Sequence, residues 1–401
     1  MYLPSPWRGD FPAIAALQGQ HQTYLDSAAT TQKPQALVDT LTHYYTHGAA
    51  NVHRAQHLPG ALATQAFEAT REKVGQWLNA PAAEQIIFTA GATSALNLLA
   101  YGLAAQFQAG DEIVISALEH HANLLPWQQL ALRQGLNLRV LPIDSAGVID
   151  LDAAARIIGP RTRLLAVSQL SNVLGTWQPL PALLQLARAQ GALTVVDGAQ
   201  GVVHGRHDVQ QLGCDFYVFS SHKLYGPDGV GVLYGRPDAL ARLHPWQFGG
   251  EMVATADFTG ASFRPAPLGF EAGTPPIAGV IGLGATLDYL SSLDARAVGQ
   301  HEAMLHAHLL RGLRDREGVR LIGTPTCALA SFVVDGVHHA DLAHLLTDQG
   351  MAVRAGQHCA MPLFQQLGLA GAIRVSLALY NDSDDLGRFF DALDKALELL
   401  R

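Results

Sequence analysis

Cysteine is scarce in this 401-residue chain: Cys214, Cys327 and Cys359 are the only three, with no C-x-x-C spacing. So few thiols, so placed, exclude a disulfide framework and point to a reducing, cytoplasmic setting. Charge is also thin. Asp, Glu, Lys and Arg together make up 15% of the chain, the net charge is −8, and no basic run occurs, which argues against nucleic-acid binding. No apolar run reaches membrane-spanning length. The opening Met-Tyr-Leu-Pro-Ser-Pro-Trp-Arg lacks a charged segment followed by an apolar core, so neither a membrane span nor a secretion signal is expected. Internal repeats and low-complexity linkers are missing too.

What remains is a chain that is 49% hydrophobic and rich in Ala, Leu and Gly, the composition of a densely packed α/β enzyme. Its length is large for one core and predicts one large and one smaller domain. We expect the large domain over 21–290 and the smaller over 1–20 and 291–401. Apolar, β-branched runs predict strands at 86–89, 112–116, 138–143, 164–169, 193–196, 216–220 and 230–234. Helical stretches separate most of them, which argues for a mostly parallel seven-stranded sheet covered on both faces. The last pair is joined only by a turn region and can run antiparallel. Helical periodicity marks 34–47, 59–78, about 202–212 and a long stretch over 278–315 with a break near Ser291. Residues 244–276, full of Gly, Pro and Phe, read as a long ordered loop. Strands at 329–334, 351–354 and 372–377, with helices at 339–349 and 383–400, describe a smaller α+β unit.

Several strand ends carry reactive side chains. Ser220-Ser-His-Lys-Leu-Tyr-Gly-Pro follows an apolar strand and sets Lys223 before a glycine turn, where burial and nearby cations would free an amine for imine formation. Asp197 ends the preceding strand, with Gln200 close behind. Pyridoxal phosphate needs both partners, a lysine for its aldehyde and a carboxylate for its pyridine nitrogen. The competing readings are a surface lysine in a turn and a helix-capping aspartate. Ala90-Gly-Ala-Thr-Ser opens a helix after a strand, so its backbone N–H groups and Thr93 form either a phosphate site or an ordinary cap. Glu119-His-His-Ala-Asn offers a histidine face for an aromatic ring; no partners at ligand spacing support a metal reading. Asn172 either bonds a cofactor or caps a turn. Arg374 lies inside an apolar strand and needs an anionic partner, a substrate carboxylate or an internal Asp or Glu. Cys359 lies in a short loop with Arg354 and His358, where positive charge favours the thiolate. Cys214 and Cys327 are expected to be inert and buried.

Taken together, the motifs resemble the pyridoxal-phosphate cysteine desulfurases of the aminotransferase class V family, in particular the Suf/Csd-type (group II) branch. The resemblance runs from about Phe11 to the C-terminus. It rests on Tyr-Leu-Asp-Ser-Ala-Ala (24–29), Asn-Val-His-Arg (51–54), Glu-His-His-Ala-Asn (119–123), Ser-Asn-Val-Leu-Gly (171–175), Val-Asp-Gly-Ala-Gln (196–200), Ser-His-Lys-Leu-Tyr-Gly-Pro (221–227), Glu-Ala-Gly-Thr-Pro (271–275), Arg-Ala-Gly-Gln-His-Cys-Ala (354–360) and Arg-Val-Ser (374–376).

This resemblance implies a fold-type I enzyme, α/β in class, with the Cys359 loop in its smaller domain. Lys223 would carry the cofactor and His120 would stack on its ring. Asp197 would meet the pyridine nitrogen and Gln200 the phenolic oxygen. Ala92, Thr93, Ser220 and His222 would hold the phosphate, with Thr274 reaching it from a second subunit of a homodimer. Asn172 and Arg374 would orient the substrate carboxylate, with Arg354 nearby and His53 and Arg54 approaching across the dimer. Cys359 would take sulfur from L-cysteine, or selenium from selenocysteine, and pass sulfur to an acceptor protein of the SufE/CsdE type. Iron–sulfur cluster assembly is one destination the branch implies. Two positions depart from the family pattern: Gly-Ala-Thr-Ser (91–94) stands where Gly-Thr-Thr-Glu is common, and Ala55 where a Gly often follows His-Arg. The rival readings are another class V aminotransferase or lyase, and a silent scaffold for a sulfur-transfer partner.

Overall fold

The computed structural model describes residues 4–54 and 56–400; Ala55 lies outside them. Seven strands form the main sheet: β1 (Ile86–Thr89), β2 (Glu112–Ser116), β3 (Asn137–Leu141), β4 (Thr162–Ser168), β5 (Leu193–Asp197), β6 (Phe216–Ser220) and β7 (Gly231–Gly235). Their spatial order is β1-β7-β6-β5-β4-β2-β3, and β7 alone runs antiparallel to its neighbours. Most of these strands are buried on both faces, which is why they read as continuous apolar runs. Alternate residues feed two separate cores. Phe88, Val114, Val167, Val196 and Phe219 face one layer; Ile87, Ile115, Ala166, Val195 and Val218 face the other.

A second sheet joins β8 (Val319–Leu321), β9 (Leu329–Val334), β10 (Arg354–Gly356) and β11 (Ala372–Ser376) in the antiparallel order β8-β9-β11-β10. The amphipathic helices Ala295–Arg314 and Ser383–Leu400 cover it and share its core through Leu309, Leu313, Phe389 and Leu393. The two sheets meet at the segment after β4. There the Ser331 hydroxyl donates to the Val173 carbonyl at 2.5 Å. Gly175 has φ +64°, and a Cβ on it would sit 2.4 Å from the Leu329 carbonyl oxygen, so only glycine allows this approach.

Two expectations change, and the break expected near Ser291 is present. The helix expected over 202–212 is instead a 3₁₀ turn, Gly201–His204, and a single helical turn, Val209–Leu212, separated at Gly205 (φ +124°). Asp208 restarts the chain by accepting the Gln211 N–H at 2.8 Å, a local side-chain cap winning over continued periodicity. The break expected near Ser291 falls between the helices Ile277–Ser292 and Ala295–Arg314, where Asp294 caps the second by accepting the Arg296 and Ala297 amides. Finally, the stretch 244–276 contains an exposed hairpin, Val253–Ala256 with Ala261–Phe263. It lacked a hydrophobic signature because its residues are exposed along nearly its whole length.

Candidate active site

The carboxyl ends of the parallel strands converge on a cavity of about 220 Å³, at the crevice where open α/β sheets hold ligands. At one end, the helix Ala92–Gly102 begins directly after Gly91. The Ala92 N–H donates to Ser220 Oγ at 2.8 Å, which ties the β1 and β6 loops together. β7 passes so close that a Cβ on Gly231 would lie 2.4 Å from the Gly91 backbone. Ala92, Thr93, Ser220 and His222 all line this end. Burial, with Lys223 and Lys33 adding to it, lowers His222 to about 4. The result is a pocket of neutral hydroxyl, imidazole and backbone donors at a helix N-terminus, suited to a phosphate group.

Midway along the cavity stands Asp197, the last residue of β5. Its Oδ1 accepts the Ala199 N–H at 3.0 Å, while Oδ2 has no hydrogen-bond partner among the described residues. Burial raises its pKa, opposed by the Ala199 amide and by Lys223. A cationic N–H donor in the cavity, such as a pyridinium, would complete this carboxylate. His120 borders the same space. Its Nδ1 accepts the Ala122 N–H at 3.0 Å, so the neutral ring carries its proton on Nε2. Burial, then Lys223 with His121, Arg354 and Arg374, lowers its pKa to about 3. Gln200 lines the cavity as well, with its amide donating to the Ala28 carbonyl at 2.8 Å.

Lys223 reaches the cavity from the turn after β6. Burial lowers its pKa from 10.5 to about 8; Asp197 opposes that shift, and Arg374 and Arg354 add to it. Far more of the amine is therefore unprotonated near neutral pH than at its ordinary pKa, which favours imine chemistry. Its backbone is pinned. The His222 carbonyl accepts from Thr30 Oγ1 at 3.1 Å, Thr31 Oγ1 at 3.0 Å, the Thr31 N–H at 3.1 Å and Lys33 Nζ at 3.0 Å.

Opposite lie two guanidiniums. Arg354 on β10 and Arg374 on β11 are direct cross-strand partners, and both line the cavity. Like charges facing each other are unfavourable unless an anion joins them. Arg374 is 1% exposed. It donates to Asp26 Oδ1 at 2.8 Å and to the Asn172 carbonyl at 3.0 Å, and its Nε is buried without a partner. Both readings of Arg374 thus have an observation behind them: an internal carboxylate is present, and one donor still awaits an acceptor.

Cys359 borders the cavity through its neighbours Arg354 and His358 and does not line it. The Arg354 guanidinium approaches Cys359 Sγ at 3.7 Å. Cys214 and Cys327 are buried, and burial pushes the Cys214 thiol up to about 12. Asn172 lines the cavity and donates to the His358 carbonyl at 2.8 Å, so it touches the thiol loop and Arg374 at once. Thr274, His53 and Arg54 do not line this chain's cavity. Thr274 is exposed, His53 pairs with Glu68 at 2.8 Å, and Arg54 pairs with Glu251 at 3.1 Å.

Four residues that bond directly to the site residues or to the thiol loop were given no role of their own from the sequence: Asp26, Lys33, Glu119 and His121. Asp26, Glu119 and His121 fall inside recognised motifs, and that was the only signal for them. Their partners come from distant segments. Glu119 accepts hydrogen bonds from Ser116, Asn123 and Ser168, and burial raises its pKa to about 7.

A mostly parallel sheet with this crevice, lysine and carboxylate defines the fold-type I pyridoxal-phosphate enzymes. The family model for aminotransferase class V matches residues 23–389. The chain belongs to that family and, within it, to the cysteine desulfurase group. It is 79% identical to a probable cysteine desulfurase of Pseudomonas putida over the full length of both chains. It is 46% identical to a cysteine desulfurase of Klebsiella pneumoniae, covering 98% of each. The crystal structure of the cysteine desulfurase CsdA from Escherichia coli superposes with a TM-score of 0.92 at 43% identity, covering 99% of each chain.

Proposed function

We propose that this chain is a pyridoxal-phosphate-dependent cysteine desulfurase that converts L-cysteine to L-alanine and carries the released sulfur as a persulfide on Cys359. One observation carries the reading. A low-pKa lysine, a half-satisfied buried carboxylate and two facing guanidiniums share one cavity, with a thiol 3.7 Å from one of those guanidiniums. The names of the full-length relatives support the substrate.

Bound pyridoxal phosphate supplies the electron sink that lets the substrate Cα lose its proton. Ala92, Thr93, Ser220 and His222 hold its phosphate, Asp197 its pyridine nitrogen, Gln200 its phenolic oxygen, and His120 covers its ring. Lys223 would hold the cofactor, and its amine would move the Cα proton. Arg374 and Asn172 hold the substrate carboxylate, with Arg354 beside them. The Cys359 thiolate attacks the substrate sulfur: an S–S bond forms, the Cβ–S bond breaks with its electron pair left on the carbon side, Cβ takes up a proton and Cα regains the one it lost, giving alanine and the persulfide. The same chemistry extends to selenocysteine.

The persulfide passes to an acceptor protein of the SufE/CsdE type, in the cytoplasm, with iron–sulfur cluster assembly among the uses of the sulfur. Residues 21–290 form the cofactor-binding domain, and 1–20 with 291–401 form the domain carrying the thiol. Two chains make the working unit, with Thr274, His53 and Arg54 of one reaching the cavity of the other. Mass spectrometry of protein incubated with L-cysteine tests the central claim. One added sulfur on Cys359 is expected, and none in Cys359→Ser, whose hydroxyl is neither ionised nor soft at neutral pH. Sulfur transfer by Cys359→Ser at the wild-type rate would remove Cys359 from the mechanism.

A further inference from the structure

The turn that presents Cys359 is short and lies outside any ladder. β10 ends at Gly356, and the helix Met361–Gln366 starts two residues after the cysteine. His358 and Cys359 both have positive φ, 49° and 58°. Non-glycine residues adopt that conformation in succession only where the surroundings over-determine it. Within the turn, the Ala360 N–H bonds the Gln357 carbonyl at 2.8 Å. Arg354 of the second sheet approaches the thiol itself, and three further restraints come from the large sheet. Asn172 supplies one, to the His358 carbonyl. His121 supplies two: its N–H donates to the Cys359 carbonyl at 2.7 Å, and its Nε2 accepts the Met361 N–H at 3.2 Å. His121 thus grips the turn at two points just after the thiol-bearing residue, and Asn172 holds it just before.

His121 is itself firmly held. The buried Glu119 carboxylate accepts from the Ser116 and Ser168 hydroxyls, the Ser168 N–H and the Asn123 amide, fixing the segment at the ends of β2 and β4. His120 lines the cavity, and the next residue holds the thiol loop. A single turn therefore sets the spacing between the ring site and the nucleophile. We infer that His121 is the positioning residue for Cys359. It acts through Nε2 as a hydrogen-bond acceptor that keeps the 358–361 turn in the orientation sulfur attack needs. This rests on the desulfurase reading above.

The contrast between His121→Gln and His121→Asn tests it. The Gln amide oxygen occupies the Nε2 position and can accept the Met361 N–H; the shorter Asn oxygen occupies the Nδ1 position and cannot. Two rates are measured on cofactor-loaded protein of verified cofactor content and melting temperature: iodoacetamide alkylation of Cys359 without cysteine, and persulfide formation at saturating cysteine. Losing one hydrogen bond predicts that His121→Asn alkylates about fivefold faster and forms persulfide about fivefold slower. Its KM for cysteine should stay within about twofold of wild type, because ground-state binding is untouched. His121→Gln should match wild type in both rates. Equal behaviour of the two variants, or a changed alkylation rate with unchanged persulfide formation, overturns the assignment. If wild-type protein forms no persulfide, the desulfurase reading falls, and the assignment to sulfur attack falls with it. The alkylation contrast then still decides whether His121 holds the thiol loop.

Discussion

At the scale of single residues, the site works by placing ionisable groups where water is scarce. Lys223 is the clearest case: burial brings its pKa to about 8. The free amine is the reactive form, so covalent uptake of pyridoxal phosphate by cofactor-free protein should accelerate as pH rises through about 8 and then level off. A lysine at its ordinary 10.5 would still be gaining rate well above that point. Borohydride trapping across a pH series measures this, and Lys223→Ala should trap no cofactor. Arg374 predicts a different loss. Its removal would take away the proposed carboxylate site and leave the half-buried Asp26 without its 2.8 Å partner. Arg374→Ala should raise KM for cysteine steeply while Cys359 still alkylates at the wild-type rate. Titration with cysteine and thiol labelling on the same variant read the two effects separately.

At the scale of elements, the loop that carries Thr274 hangs on a buried ion pair. Arg71, on the helix Leu58–Leu78, bonds Glu271 at 2.6 and 3.0 Å, Glu68 at 2.8 Å and the Ile86 carbonyl at 2.8 Å. Its guanidinium lies 4.7 Å from the Phe88 ring. Glu271 also accepts the Phe88 N–H at 2.7 Å, so helix, edge strand β1 and loop meet at one carboxylate. Arg71→Met keeps most of the volume but leaves Glu271 buried and unpaired. Denaturant titration should show a loss of about 3–5 kcal/mol. A loss below about 1 kcal/mol would mean that this carboxylate finds water or takes a proton at little cost. The edge position of β1 explains why such a device is needed: one side of the strand pairs with β7, and among the described residues its other side has no strand neighbour.

At the scale of the whole molecule, Thr274, His53 and Arg54 stand outside their own chain's cavity, so their proposed roles require a second copy. Sedimentation should show a dimer whose cofactor content falls with dissociation, since binding at a composite site is linked to association. A monomer with full cofactor and full activity would refute the arrangement. How much of this was legible beforehand follows from range. The seven strands of the main sheet, the break between the helices Ile277–Ser292 and Ala295–Arg314, and the strand-end positions of Asp197 and Lys223 were readable because they depend on local apolar periodicity and on residues adjacent in the chain. The exposed hairpin at Val253–Phe263 was not, because nothing in it is patterned for burial. The partners were not either: Asp26 with Arg374, His121 with Met361, and four donors on the His222 carbonyl join segments far apart in sequence. By itself the sequence determined the sheet, the reactive side chains and their order along the chain. Only the tertiary structure decided which of them meet, because hydrogen-bond geometry and desolvation arise where strand ends converge.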